Sequence, residues 1–191
     1  MRCTPTQPTP RKWAVAHRKP AVVIAPLTRD GKFVLIREER IPIRAAIWSL
    51  PAGQIDDVVA GIGDPGRGQG DNRAAGVTAP GYNLTPQAIA AVARRELLEE
   101  TGYELEPGAE LIPLGHYFTS PGFTDELCYF FLARPVRKSA GGPQHDATEA
   151  IVDCREFSAD VVRQMIADNE IRDANTLSIW ARLVARGEIF P

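Results

Sequence analysis

The sequence predicts a mixed α/β or α+β fold in which one central helix packs on a β-sheet. The predicted elements run in the order strands, helix, strands, helices, without a steady strand-helix-strand alternation and without an internal repeat. Elements grouped in this order favour a sheet with helices packed against it. The 191 residues are enough for one domain with a sizeable core and an added helical tail.

The composition is that of an ordinary globular protein, with 44% hydrophobic residues, 24% charged residues and a net charge of -2. We therefore expect no nucleic-acid or membrane surface. Cys3, Cys128 and Cys154 are scattered and lack the spacing of a disulfide framework or a zinc site, which favours a reducing cytoplasm. The first residues lack the apolar core of a signal peptide, so we expect a soluble cytoplasmic protein.

The N-terminal part of the chain predicts a flexible arm followed by a hairpin. Residues 1–19 are rich in Pro, Thr and basic residues, and the domain is expected over 20–191. Apolar and β-branched runs at 21–27 and 32–38 predict two strands, and Asp30-Gly31 between them is a strong hairpin signal. A third strand is expected at 46–53.

The stretch from about 57 to 83 has seven glycines, two prolines and no sustained periodicity, so it predicts a long loop. A structureless loop of this length inside a compact domain is either functional or an insertion.

The central helix begins after Thr85, an N-cap followed by Pro86 at the first helical position, and Gly102 ends it. Beyond it, strands are expected at 109–118, 126–136 and 149–157. Two helices follow, at 159–169 after a Ser158 cap and at 174–187.

Three glutamates of the central helix, Glu96, Glu99 and Glu100, are spaced i, i+3 and i+4 and therefore share one face. Like charges placed in this way repel one another. Arg95 or a hard divalent cation with oxygen ligands would offset the repulsion. Taken alone, the cluster also fits a solvated helix surface.

The run from Arg95 to Tyr103 has the form R-E-apolar-x-E-E-x-G-apolar, and "SLPAGQID" lies upstream. On these residues the sequence resembles the Nudix hydrolase family over about residues 20–187. The resemblance implies the Nudix fold, with a mixed β-sheet between helices and closing C-terminal helices. It also implies Mg²⁺ or Mn²⁺ as cofactor. The implied metal ligands are Glu96, Glu100, Glu99 and the Ala52 carbonyl, with Arg95 orienting Glu99.

The first half of the family motif is displaced. Strict counting back from Arg95 places Gly81 and Gln87 where the family has glycine and glutamate. We take Gly53, which follows Leu-Pro-Ala as in the family, as the structural equivalent. The glycine-rich stretch is then an insertion, and Gln87 brings an amide oxygen without a charge.

"TSPGFTDE" at 119–126 resembles a segment of the ADP-ribose pyrophosphatase branch, and this implies ADP-ribose as substrate, with AMP and ribose 5-phosphate as products. Pro121 is the marker residue, beside Gly122. Glu126 matches the acidic residue that follows, and the resemblance implies that it is catalytic. Glu149 is the nearest match to the branch's glutamate in a mobile loop, which implies a role as base or water-orienting group. The resemblance also implies that Arg37 and Arg40 contact the diphosphate or ribose, and that the protein is a homodimer.

Other interpretations remain open. The same chemistry on a nucleotide sugar or dinucleotide is one, and a non-catalytic Nudix-fold nucleotide-binding regulatory module is another. Ser120-Pro121-Gly122 also fits a plain turn, and Glu149 a solvated loop carboxylate. No role is assigned to the histidines, and Cys128 is expected to be a buried apolar residue.

Overall fold

The computed structural model describes residues 14–55, 84–145 and 150–189. None of the helices in these ranges combines the length and apolar content needed to cross a membrane. The elements in chain order are β1 (Ala21–Thr28), β2 (Lys32–Arg40), a short 3-10 helix (Ile41–Ile43), β3 (Ala45–Ser49), β4 (Ala52–Gln54), α1 (Pro86–Thr101), β5 (Tyr103–Phe118), β6 (Leu127–Lys138), β7 (Ile151–Ser158), α2 (Ala159–Ala167) and α3 (Ala174–Ala185).

The strands form a mixed sheet in the order β3-β2-β1-β6-β5, with β4 also paired to β1 and β7 to β2. The pairing of β1 with β6 is parallel, and β1 pairs with β2 and β4 in antiparallel fashion. The mixed sheet confirms the fold class predicted from the sequence.

Helices cover both faces of the sheet, as the alternation of side chains along β1 shows. Val22 and Ile24 belong to the core under α1, together with Val92 and Leu97 of that helix. Val23 and its same-face neighbours lie in the second core, beside residues of α2 and α3. The sheet therefore lies between α1 on one side and the two C-terminal helices on the other.

Local signals set the ends of α1. The Thr85 side chain accepts the Ala88 N–H at 3.1 Å, and Pro86 occupies the first turn, where a missing N–H is tolerated. Gly102 ends the helix at φ +71°, and a Cβ there would lie 2.7 Å from the Pro143 nitrogen. Both the backbone angle and the available space therefore require glycine.

The strand expected at 46–53 is divided into β3 and β4 at Leu50-Pro51, because Pro51 has no N–H to continue a ladder. The strand expected to begin at 109 begins at Tyr103, directly after α1. Of the arm expected at 1–19, the structure describes residues 14–19, and Ala16 pairs with Thr124. Residues 1–13 and 56–83, which hold the rest of the arm and the glycine-rich stretch, lie outside the described residues.

Candidate active site

The α1 helix brings two glutamates against the sheet. Glu96 and Glu100 lie one turn apart on the same face and are only 6% and 5% exposed. Glu99 lies at the side of this face, and its side chain is 33% exposed. Carboxylates are seldom buried to this degree unless they are paired or hold a cation.

Glu100 is held by the main chain of β4. The Ala52 N–H donates to its Oε2 at 2.8 Å. The main-chain oxygen of Glu100 accepts a hydrogen bond of 3.0 Å from His145 Nε2, so this end of α1 is also fastened to the segment after β6. His145, to which the sequence assigned no role, therefore contacts the glutamate helix.

Glu96 lies against Gly53. A Cβ on Gly53 would lie 2.1 Å from the Glu96 carboxyl carbon, so no larger residue fits without moving the carboxylate. Gly53 is thus beside the Glu96 carboxylate in space. Gln87 does not lie beside the glutamates. It is exposed in the first turn of α1, nine residues before Glu96 and about 13 Å from it along the helix axis.

Arg95 contacts Glu96 more closely than Glu99. Its Nη2 lies 2.6 Å from Glu96 Oε1, whereas its Nε lies 3.8 Å from Glu99 Oε2. The sequence predicted that Arg95 orients Glu99, and the structure makes Glu96 the nearer partner. The reason is that Glu96 is fixed between Gly53 and the helix, whereas the Glu99 side chain is partly in solvent.

The donor chemistry of this face fits a hard divalent cation, since Glu96, Glu99 and Glu100 bring carboxylate oxygens to one side of α1. The close approach of Gly53 leaves room for the Glu96 carboxylate at the backbone. Within 14–55, 84–145 and 150–189, however, no three or more His, Cys, Asp or Glu side chains are grouped so that they could hold a metal. A cation bound by Glu96 would compete with Arg95, whose Nη2 lies 2.6 Å from Glu96 Oε1.

The two arginines predicted to contact substrate lie on opposite faces of β2. The register of β2 with β3 is unbroken to Arg40, and strand side chains alternate. The Arg37 side chain points to the same face of the sheet as that of Leu35, which packs in the core under α2 and α3. The Arg40 side chain points to the same face as that of Val34, and Val34 packs in the core under α1. Arg40 Nη2 lies 2.7 Å from Glu38 Oε2. The structure therefore places Arg40, but not Arg37, on the α1 face.

Ser120-Pro121-Gly122 forms a turn before β6. The N–H groups of Phe123 and Thr124 both donate to the Ser120 oxygen at 3.1 Å. Pro121 and Gly122 are exposed and, with Ala14 and Val15, line a cleft of about 450 Å³. The turn is thus part of a concave surface to which the end of the predicted arm contributes.

Glu126, predicted to be catalytic, is held by protein groups. Arg18 Nε lies 2.8 Å from its Oε1, and Thr119 Oγ1 donates to its Oε2 at 2.8 Å. Beside it, His17 Nδ1 lies 2.7 Å from Asp125, and this contact holds the pKa of the Asp125 carboxyl below its ordinary value. We name the contacts of His17 and Arg18 with Asp125 and Glu126 the arm latch. Sequence reasoning missed it because its partners lie more than 100 residues apart.

Glu149 lies outside the described residues, so its predicted role as base stays a prediction. The described residues on its two sides are anchored near the site. The Gln144 N–H donates to the Glu99 oxygen at 2.9 Å, and the Ala150 oxygen accepts from the Glu39 N–H at 3.0 Å.

Three further polar groups, one hydroxyl and two thiols, differ in their surroundings from the glutamate cluster. The Ser49 hydroxyl, directly before Leu50, is buried and has no hydrogen-bond partner in the described part of the chain. Burial raises the pKa of the Cys128 thiol to about 12 and that of Cys154 to about 11, so neither is a thiolate nucleophile near neutral pH. Cys128 is buried, as predicted.

The chain is similar to several known proteins. A model of the NUDIX domain matches residues 65–178. A methanol dehydrogenase activator of Bacillus methanolicus is 30% identical over 173 residues, which are 91% of this chain and 76% of that protein. The ADP-ribose pyrophosphatase of Bacillus subtilis is 27% identical over 156 residues, 82% of this chain and 67% of that protein. A GDP-mannose pyrophosphatase of Escherichia coli K12 is 36% identical over 162 residues, 82% of this chain and 69% of that protein.

Solved structures support the same fold. A crystal structure described as an ADP compounds hydrolase superposes with a TM-score of 0.61 at 18% identity, over 89% of this chain and 75% of that one. A NUDIX hydrolase from Nitrosomonas europaea superposes with a TM-score of 0.53 at 24% identity, over 91% of this chain and 93% of that one. At these identities the structural likeness supports the fold alone.

Proposed function

The chain belongs to the NUDIX family, and on that premise we propose that it hydrolyses the diphosphate bond of ADP-ribose to give AMP and ribose 5-phosphate. The observation that carries the proposal is the pair of buried carboxylates, Glu96 and Glu100, held against the backbone of Ala52 and Gly53. The similarity to an ADP-ribose pyrophosphatase and the Pro121 turn support the choice of substrate.

Divalent cations are generally used by hydrolases of this family, and we propose Mg²⁺ or Mn²⁺ here. A diphosphate and a glutamate cluster are both negatively charged, so they repel each other unless a cation lies between them. The bound cation would neutralise this charge and polarise water. The residues that would hold it are Glu96, Glu100, Glu99 and the carbonyl of Ala52.

The protein's own groups bind and position the substrate. Arg40 lies on the α1 face, and we assign it to the diphosphate, where a guanidinium can bind two oxygens at once. Pro121 and Gly122 form the edge of the substrate site on the side of the arm. Glu149 remains our proposal for the base, and Glu126 acts through Arg18 by keeping the turn in place.

Two alternatives have specific support. The 36% identity to a GDP-mannose pyrophosphatase favours a nucleotide sugar as the substrate of the same reaction. The similarity to a protein named as a dehydrogenase activator favours a regulatory role, in which the domain acts on another enzyme. Buried carboxylates at the site favour hydrolysis over a purely regulatory module.

A hydrolysis screen with Mg²⁺ and with Mn²⁺ over ADP-ribose, GDP-mannose and a dinucleotide separates these candidates. We expect the highest kcat/KM with ADP-ribose and loss of turnover with chelator. A preference for GDP-mannose would correct the substrate only. Binding of these compounds without turnover of any of them would refute the hydrolase function.

We also propose that the protein is a cytoplasmic homodimer, with a domain over 20–191 that carries an insertion at about 57–83. The free thiols of Cys128 and Cys154 support a reducing compartment. Light scattering on the full chain tests the dimer: a mass near the 20.9 kDa of one chain would contradict it.

A further inference from the structure

A buried hydroxyl connects the C-terminal helix to the strand connection at the site. Thr176, in the first turn of α3, is 0% exposed. Its Oγ1 accepts the Leu50 N–H at 2.9 Å and donates to Asp173 Oδ2 at 2.8 Å. A hydroxyl can donate and accept at the same time, so both contacts are satisfied by one group.

Three successive residues, Leu50 and Pro51 of the β3–β4 connection and Ala52 at the start of β4, are held by three different elements. The Leu50 N–H donates to Thr176 of α3, and the Pro51 oxygen accepts from the Ile24 N–H of β1 at 2.9 Å. The Ala52 N–H donates to Glu100 of α1 at 2.8 Å. The Ala52 carbonyl lies in the same planar peptide unit as the Gly53 N–H, and the pairing of Gly53 with Val22 of β1 therefore restricts where this carbonyl points.

We propose that Thr176 is a positioning residue for the metal site, acting from the opposite layer of the fold. Its hydroxyl fixes Leu50, and Leu50 and Pro51 in turn hold Ala52. The Ala52 N–H fixes Glu100, and the Ala52 carbonyl is the proposed main-chain ligand. This inference rests on the proposed function, since it assigns the purpose of the contact to the cation held by Glu96, Glu100 and Ala52.

A role confined to helix capping does not explain the contact with Leu50. Asp173 accepts the Thr176 N–H at 2.8 Å through its own side chain, so the N-cap of α3 does not need the Thr176 hydroxyl. Removing the hydroxyl would instead leave the buried Leu50 N–H without its partner. The first structure to be disturbed is therefore the β3–β4 connection, next to Ala52 and Glu100.

The test is the affinity of the full chain for Mn²⁺ in the absence of substrate, measured by electron paramagnetic resonance of the free ion. Thr176→Val keeps the shape of the side chain and removes the hydroxyl, whereas Thr176→Ser keeps the hydroxyl. We expect Thr176→Val to weaken Mn²⁺ binding at least about tenfold, as is typical for groups that orient metal ligands. Thr176→Ser should bind within about threefold of the original protein.

A matched control separates positioning from general destabilisation. Ser158 caps α2 through the Val161 N–H at 3.3 Å on the same face of the sheet, and it is not one of the residues that hold Leu50, Pro51 and Ala52. Ser158→Ala should lower the melting temperature without changing Mn²⁺ affinity. A similar loss of affinity in Ser158→Ala and Thr176→Val would overturn the positioning role.

The result also distinguishes this inference from the proposed function. If the unmodified chain binds no Mn²⁺, both are refuted. If the unmodified chain binds Mn²⁺ and Glu100→Gln loses this binding, whereas folded Thr176→Val keeps it, then only the inference about Thr176 is refuted. Should Thr176→Val not fold, Thr176→Ala removes the same hydroxyl with a smaller side chain, and unchanged Mn²⁺ affinity in that variant overturns the proposal.

Discussion

Glu100 and Glu126 are two mostly buried glutamates that were both assigned to the site from the sequence, and their surroundings hold them in different ways. Glu100 lies on a helix and accepts a main-chain N–H from Ala52. Glu126 precedes a strand, and the side chains of Arg18 and Thr119 bind its two oxygens. A carboxylate beside the backbone of α1 and β4 is positioned to hold a cation. Glu126 instead connects the arm to the Pro121 turn, because Arg18 comes from a segment far away in the chain.

The largest effect is expected at the glutamate face. Gly53→Ala would place a Cβ 2.1 Å from the Glu96 carboxyl carbon and push the carboxylate out of position. Because a displacement of about 1 Å at reacting groups reduces rates by about 100-fold, we expect at least that loss in kcat/KM. Steady-state hydrolysis of ADP-ribose measures it.

Gly141→Ala is the matched control, since an added Cβ there meets no atom closer than 3.9 Å. It should keep the original activity. Equal kcat/KM in Gly53→Ala and the unmodified chain would show that the Glu96 carboxylate is not used in hydrolysis.

A smaller effect, on binding, is expected at the arm latch. Arg18→Ala removes the guanidinium that binds Glu126, and the Pro121 turn loses one contact with the arm. We expect KM for ADP-ribose to rise severalfold with kcat within about threefold, since one partly exposed ion pair contributes about 1 kcal/mol or less. Arg18→Lys should recover part of this. A fall in kcat with an unchanged KM would instead place Glu126 in the chemical step.

Much of the fold and one half of the site follow from local sequence signals. Thr85, Pro86 and Gly102 set the ends of α1 to within one residue of the expected positions, because capping depends on neighbours in the chain. The common face of Glu96 and Glu100 follows from helical spacing alone.

Long-range contacts could not be predicted in this way. The bond between Thr176 and Leu50 joins residues 126 positions apart, and no local pattern marks either residue as its partner. For Arg37 and Arg40, by contrast, a local rule decides the direction of the side chains. Residues three apart on a regular strand point to opposite faces, so a common substrate contact was not to be expected.

The smallest effect is expected on the stability of the fold at acid pH. His17 holds the pKa of Asp125 below its ordinary value of about 3.9. A carboxyl whose pKa is lowered by folding stabilises the protein above that ordinary value. The contribution is lost as the pH falls through the lowered, folded pKa.

Melting temperatures of the unmodified chain and Asp125→Asn between pH 2 and pH 6 measure this contribution. The two curves should differ slightly above about pH 4 and converge at the acid end. A difference that grows toward low pH would contradict the role of His17 in holding the Asp125 carboxylate.

The most direct test of the account compares Glu100→Gln with Glu126→Gln in metal-dependent hydrolysis of ADP-ribose. Each change removes one charge at nearly constant shape, and the glutamine oxygen can still accept the Ala52 N–H or the Thr119 hydroxyl. We expect Glu100→Gln to remain folded and to lose at least about 100-fold in kcat, since it would lose a metal ligand. Glu126→Gln should keep kcat within about threefold and raise only KM. Near-original turnover in Glu100→Gln, or equal losses of kcat in both variants, would contradict the assignment of the metal site to the α1 face.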